Sequence, residues 1–158
     1  MINFTDDQII EISQNLDAGM RSFYNTETGE IKILPDFENH LYAEREMWAE
    51  DIEEIDSKFD KYVVFELMQS HQSYKIMEEF IETVDDNKLQ NRLLNSISRS
   101  KPFRNFHNEI DNSGKYRQCW FEFKDQKYIE WVKNQIEVFN FKKNTKFLFS
   151  ADDIQNGN

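Results

Sequence analysis

A short basic turn carries the residues best suited to bind an anion. The segment Arg99-Ser-Lys-Pro-Phe-Arg places three cations within six residues, and Pro102 is typical of the first position of a helix. Backbone N–H groups at a helix amino terminus favour anions. Ser100 is expected to cap this helix, and Arg104 and His107, one helical turn apart, are expected to reach the same anion. The candidate binding residues are Arg99, Ser100, Lys101, Arg104 and His107.

An internal role for these cations competes with anion binding. Residues 27–60 hold twelve carboxylates and three basic side chains, whereas residues 88–117 hold seven basic and two acidic side chains. A basic segment inside a chain of net charge −11 is less expected than an acidic one and is therefore more informative. Ion pairs with the acidic helix predicted at 42–58 would also explain it, and the sequence leaves both explanations open.

Several glutamate pairs lie one helical turn apart: Glu46 with Glu50, Glu50 with Glu54, and Glu78 with Glu82. Such pairs can hold a divalent cation or share a proton, so a metal-dependent enzyme is an alternative hypothesis. A solvated helix face explains a run of glutamates equally well. No histidine lies three or four residues from these pairs, which counts against a di-iron site.

The remaining reactive side chains follow no catalytic or metal-binding pattern. His40, His71 and His107 have no second ligand at metal-binding spacing, and Cys119 stands alone. The sequence contains no nucleophile elbow, phosphate loop or dinucleotide fingerprint. We therefore predict no catalytic residue, no metal and no cofactor, and the protein is more consistent with a binding function than with an enzyme.

Composition limits the class of protein. A chain of 158 residues has the size of one domain, and its 14 phenylalanines supply large apolar side chains for a core. The net charge of −11 argues against a general nucleic-acid or membrane-surface binder. A single cysteine fits a reducing compartment, and the sequence shows neither a signal peptide nor an apolar run long enough to span a bilayer. These features predict a cytoplasmic protein without a membrane partner.

Periodicity predicts the elements of the amino-terminal half. Thr5 and Gln8 form a capping box before a first helix. Alternating apolar residues on either side of a turn at 25–29 indicate a β-hairpin. Residues 42–58 predict an acidic surface helix, and residues 61–67 predict a third strand.

The second half is predicted to be mainly helical. Helices are expected near 74–84, 89–97 and 102–110, followed by a fourth strand at 119–123 and a last helix that Asp125 caps. The fold class is α+β: a small antiparallel sheet, made of the hairpin and two further strands, packs against several amphipathic helices. The expected domain spans 1–140, with a partly flexible tail at 141–158. One buried cluster is expected to contain Phe80, Phe103, Phe106, Trp120 and Trp131.

Three motifs carry a family resemblance: Met-Glu-x-Phe at 77–80, Phe-Arg-x-Phe at 103–106 and Trp-Phe-x-Phe at 120–123. With the order of elements around them, they resemble a family of small bacterial proteins of unknown function, one of the UPF families, over about residues 7–135. The resemblance implies a fold and implies no activity.

The leading hypothesis is a non-enzymatic binding or regulatory module in a bacterial cytoplasm. Its basic 99–117 region would recognise an anionic partner, which the sequence leaves open as an acidic protein segment, a phosphate group or a nucleic acid. The alternatives are a metal-dependent enzyme that uses helix carboxylates and an acidic protein that mimics nucleic acid. The partner itself remains unknown at this point.

Overall fold

The computed structural model describes residues 1–39 and 44–155. Six α-helices and a three-stranded antiparallel sheet make up this part of the chain, which confirms the α+β class. In chain order the elements are α1 (Asp6–Asp17), β1 (Met20–Asn25), β2 (Ile31–Pro35), α2 (Ala49–Ser57), β3 (Tyr62–Phe65), α3 (Ser70–Glu82), α4 (Asn87–Ile97), α5 (Pro102–Asp111) and α6 (Tyr116–Gln155). Short 3₁₀ turns at Arg45–Trp48 and Phe59–Lys61 precede α2 and β3.

The chain divides into two compact units. One comprises Met1–Leu67 and the chain from Tyr128 onward, and the other comprises Met68–Lys127. The single domain expected at 1–140 and the partly flexible tail expected at 141–158 stay predictions.

Local signals build the start of the first unit. The Thr5 side chain accepts from the Gln8 N–H, and the Gln8 side chain accepts from the Thr5 N–H, so the predicted capping box is confirmed. The predicted hairpin is also confirmed, with β1 and β2 paired from Tyr24–Ile31 to Met20–Pro35. Gly29 closes its turn at φ +76°, where a side chain would be strained.

The sheet, in the order β2-β1-β3, has helices on both faces. Strand alternation turns Tyr24 and Phe65 toward a core with α1 and the later part of α6, where Ile12 and Val132 are fully buried. The opposite face belongs to a smaller core with α2. The members of that smaller core are Phe23, Leu34, Ile55 and Tyr62, with Phe37, Trp48, Ile52 and Val64 partly buried against them.

The second unit packs α3, α4, α5 and the start of α6 around aromatic rings. The rings of Phe106 and Trp120 are 4.7 Å apart, and those of Phe80 and Trp120 are 5.3 Å apart. Phe103 is partly buried against this cluster. Trp131 was expected in the same cluster and lies instead against the core of the first unit, where its indole N–H donates to the Glu66 carbonyl at 2.8 Å.

The predicted fourth strand at 119–123 is wrong, since these residues belong to α6. Asp125 is therefore an interior helix residue and caps nothing. The spacing of Tyr116, Trp120 and Phe123 fits one helix face, and all three pack on the aromatic cluster. No glycine or proline follows Gly114 until Gly157, so nothing in the sequence interrupts the helix. The sheet consequently has one strand beyond the hairpin, in the part of the chain described.

Among the described helices, none combines the length and the apolar character required to cross a bilayer. Helix α6 is 40 residues long and carries charged residues along its length.

Candidate functional site

The predicted anion-binding residues lie on and just after the connection between α4 and α5. Arg99, Ser100 and Lys101 lie in that connection, Arg104 lies in the first turn of α5, and His107 lies one turn further on. All five side chains are exposed. The structure therefore places them within nine consecutive residues on the surface of the second unit.

Two side chains from neighbouring helices hold this connection. The Tyr74 hydroxyl on α3 donates to the Ile97 carbonyl at 3.0 Å. The Asn105 side-chain amide donates to the Ser96 carbonyl at 3.2 Å and to the Ser100 carbonyl at 2.9 Å. The bonds to Ser96 and Ile97 satisfy carbonyls that the end of α4 leaves without helical partners, and the bond to Ser100 holds the connection itself. The turn is thereby fixed by the packed core beneath it.

Lys101 is the N-cap of α5, so the expectation that Ser100 would cap this helix is wrong. Lys101 has φ +56° and ψ +53°, a left-handed conformation that disfavours most side chains. Pro102 follows it at the first position of α5, and proline disfavours the right-handed helical region for the residue before it. A lysine at the N-cap provides no acceptor, and the N–H groups of Phe103 and Arg104 find no partner among the described residues.

Carboxylates of the basic segment itself neutralise two of its arginines. Arg92 pairs with Glu109 at 3.3 Å, and Arg117 pairs with Asp111 at 3.3 Å. Those two carboxylates are the only acidic residues between 88 and 117. In the described part of the chain no carboxylate forms an ion pair with the cations at 99, 101 and 104.

Arg99 and His107 each donate one hydrogen bond to a backbone carbonyl. The Arg99 Nε donates to the Asn95 carbonyl at 3.3 Å, which places its positive charge at the carboxyl end of α4. The His107 Nδ1 donates to the Phe103 carbonyl at 2.6 Å. These two bonds leave the Arg99 terminal nitrogens and the His107 Nε2 for other partners. The imidazole Nε2 donates to an anion only when the ring carries both protons.

Tyr116, at the end of the basic region, bonds to a carboxylate from the loop between α3 and α4. The Tyr116 hydroxyl donates to the Asp85 carboxylate in a short hydrogen bond. That bond is the main cause that raises the pKa of Tyr116 to about 12 and lowers the pKa of Asp85. The Lys115 ammonium lies 5.2 Å from the centre of the Tyr116 ring. This pair joins the start of α6 to the loop before α4.

Two carboxylates of the acidic helix α2 pair with a lysine of the same unit. Lys32 on β2 lies 2.9 Å from Asp51 and 3.1 Å from Glu54, both on α2. The hydrogen bond from Lys32 is the main cause that holds the pKa of Glu54 below its ordinary value. No group of three or more histidines, cysteines and carboxylates in the described residues is placed to hold a metal ion. His40 lies outside the described residues.

A comparison with known protein families matches residues 9–154 to the uncharacterised protein family UPF0158. The chain belongs to UPF0158. No curated protein and no solved structure shows a significant match to it. The resemblance drawn from the aromatic motifs, to an uncharacterised UPF family, is confirmed by this match.

The roles of two further residues of this UPF0158 member were not predicted. Asn105 holds the basic turn through carbonyls five and nine residues away, and Lys32 holds α2 on the sheet through carboxylates about twenty residues away. The sequence gives one weak signal for Lys32, which is a lone cation in a strand of otherwise apolar residues. For Asn105 no signal is present, because its partners are backbone carbonyls.

Proposed function

We propose that this UPF0158 member is a non-enzymatic binding or regulatory module of the bacterial cytoplasm, and that it recognises an anionic partner through its basic 99–117 region. The contact residues in this proposal are Arg99, Ser100, Lys101, Arg104 and His107. Arg99, Lys101 and Arg104 supply charge, Ser100 supplies a hydroxyl, and His107 supplies its Nε2 when the ring is protonated.

One observation carries the proposal: the three exposed cations at 99, 101 and 104 have no ion-pair partner among the described residues. The two paired arginines of the same segment, Arg92 and Arg117, provide the contrast. Neighbouring carboxylates neutralise those two, whereas no carboxylate of the described residues pairs with the three cations around the turn. The cluster of positive charge attracts anions, whereas the acidic remainder of the protein surface repels them. Anion binding is therefore favoured at the turn.

The backbone adds donors of fixed direction to these charges. The N–H groups of Phe103 and Arg104 have no partner within residues 1–39 and 44–155, and they lie at the positive end of the α5 dipole. Such groups suit the compact oxygens of a phosphate or a carboxylate. Because Tyr74 and Asn105 hold the turn, the donors require little ordering when an anion binds.

Three labelled probes distinguish the partner classes: a glutamate-rich peptide, a phosphoserine peptide and a single-stranded oligonucleotide. Fluorescence anisotropy should show binding of at least one probe that weakens as salt increases. If the oligonucleotide contacts all three cations, the logarithm of its association constant should fall with the logarithm of salt at a slope of about −2.

Matched arginine substitutions separate a binding site from an internal role. Arg99→Ala with Arg104→Ala should reduce probe affinity and leave the melting temperature nearly unchanged, since both side chains are exposed. Arg92→Ala with Arg117→Ala removes the same charge from the same segment and should keep most of the affinity. Equal losses in the two double variants would refute the site, because they would reflect net charge alone.

A further inference from the structure

The first unit carries an open groove along α2. It has a volume of about 720 Å³ and runs beside Ala49, Ile52 and Ser57, and its surface is mostly apolar. Its charged lining residues are Arg45, Glu46, Glu53 and Asp56. All of these lining residues belong to α2 and to the 3₁₀ turn that precedes it.

The carboxylates of α2 fall into two sets with different surroundings. Asp51 and Glu54 face β2 and pair with Lys32. Glu46, Glu53 and Asp56 line the groove, and no described cation forms an ion pair with them. The helix is thus anchored by one set of acids while the other set borders an apolar surface.

Among the described residues that line the groove, Arg45 is the one basic side chain, and it does not neutralise the three carboxylates. The Arg45 guanidinium lies 4.9 Å from the centre of the Phe37 ring, in cation–π geometry. Three carboxylates against one arginine leave the groove negative. The groove therefore combines an apolar floor with an acidic border.

From this arrangement we infer that the α2 groove binds a basic amphipathic helix of another protein. Ala49 is small enough to let a second helix approach closely, and Ile52 supplies apolar contact. Lysines or arginines flanking the apolar face of the partner helix pair with Glu46, Glu53 and Asp56.

Charge selects this partner over the other occupants. A nucleic acid or an acidic segment would be repelled by the three carboxylates. A second copy of this chain, related by a two-fold axis, would place the acidic groove against itself. The inference concerns a surface of the first unit and does not depend on the anion site proposed for the second.

A pair of designed peptides tests the groove on the full chain. The first is an 18-residue helix of leucines on one face and lysines on the other, and the second has glutamate in place of each lysine. Isothermal titration should show binding of the lysine peptide and none of the glutamate peptide. Comparable binding of both peptides would overturn the inference, as would no binding of either.

Matched variants locate the bound peptide. Glu53→Gln with Asp56→Asn should weaken the lysine peptide roughly tenfold. Glu11→Gln with Glu137→Gln removes two exposed acids elsewhere in the same unit and should change affinity less than twofold. Ala49→Gln narrows the groove without changing charge, and it should also weaken binding with an unchanged melting temperature because Ala49 is exposed.

Three results with the variants and the free protein would also overturn the inference. Unaltered affinity in Ala49→Gln would mean that the lysine peptide is held by diffuse charge outside the groove. If the two double variants of acidic residues lost affinity for the lysine peptide equally, the peptide would likewise be held by diffuse charge outside the groove. A dimer of the free protein that Ala49→Gln dissociates, measured by sedimentation, would assign the groove to a second copy of this chain.

Discussion

Replacing Lys32 with methionine tests how the acidic helix α2 is held on the sheet. The Lys32 ammonium contacts three carboxylates, at 2.9 Å from Asp51, 3.1 Å from Glu54 and 3.6 Å from Glu30. Its side chain is 11% exposed, whereas those of Asp51 and Glu54 are 39% and 36% exposed. The cation is thus nearly buried, and the carboxylates keep access to water.

The expected loss follows from this geometry. Hydrogen bonds to charged groups contribute about 1.5–3 kcal/mol, and fully exposed ion pairs contribute about 0–1 kcal/mol. Methionine preserves most of the packing of the lysine stem. We therefore expect Lys32→Met to lower the free energy of unfolding by about 2 kcal/mol. Lys58→Met is the matched control, because Lys58 is 50% exposed and reaches Glu54 at 3.5 Å; its cost should stay below about 0.5 kcal/mol.

The pH dependence gives an independent check. The pKa of Glu54 is lowered in the folded protein, so the stabilisation it receives is present above its ordinary value of 4.5 and is lost as pH falls through the folded pKa. The pKa of Lys32 is raised, so its contribution is present below 10.5 and persists through neutral pH. The difference in the free energy of unfolding between wild type and Lys32→Met should therefore be constant near pH 7 and shrink below about pH 4.5.

Urea unfolding followed by circular dichroism and tryptophan fluorescence measures both effects. Trp48 lies against the small core beneath α2 and reports on this helix. Equal stability of Lys32→Met and Lys58→Met at pH 7 would refute the anchoring role. If wild type and Lys32→Met differ in the free energy of unfolding by the same amount at pH 3.5 as at pH 7, the stabilisation by Lys32 is not electrostatic.

Three further predictions concern the core, the mobility of α2 and the titration of a tyrosine. Phe106→Ala should cost about 3–5 kcal/mol, because the ring is fully buried between Phe80 and Trp120; urea unfolding that shows less than about 1 kcal/mol would contradict this packing. Amide hydrogens of α2 should exchange faster than those of α3, since α2 buries one residue and α3 buries four; equal protection would be contrary to expectation. Asp85→Asn should bring the pKa of Tyr116 down from about 12 toward its ordinary value of 10.0, which ultraviolet titration follows; an unchanged titration curve would disprove the coupling.

Local signals in the sequence predicted much of the fold. The capping box at Thr5 and the turn at Gly29 depend on residues within a few positions of one another, and both appear as expected. The stretch 119–123 was misassigned because Trp-Phe-x-Phe is also typical of a strand. The helical spacing from Tyr116 to Phe123 becomes decisive only when the aromatic cluster that receives these rings is known.

The sequence predicts where the candidate site lies, but it does not predict the ion pairing or the backbone conformation around it. The cations at 99, 101 and 104 are consecutive enough to be recognised directly. Their lack of carboxylate partners in the described residues depends on where Glu109 and Asp111 lie in three dimensions. The left-handed conformation of Lys101 was also outside the reach of the sequence, because glycine is the usual residue there.

A nuclear magnetic resonance titration with inorganic phosphate tests the anion site most directly. The Phe103 amide has no hydrogen-bond partner in the part of the chain that the structure describes, and it lies beside Arg104, so its resonance should shift as phosphate is added to the wild-type protein. The shift should be retained in Arg92→Ala with Arg117→Ala and lost in Arg99→Ala with Arg104→Ala. A Phe103 resonance that is insensitive to phosphate, or equally sensitive in both double variants, would contradict the proposed anion-binding function.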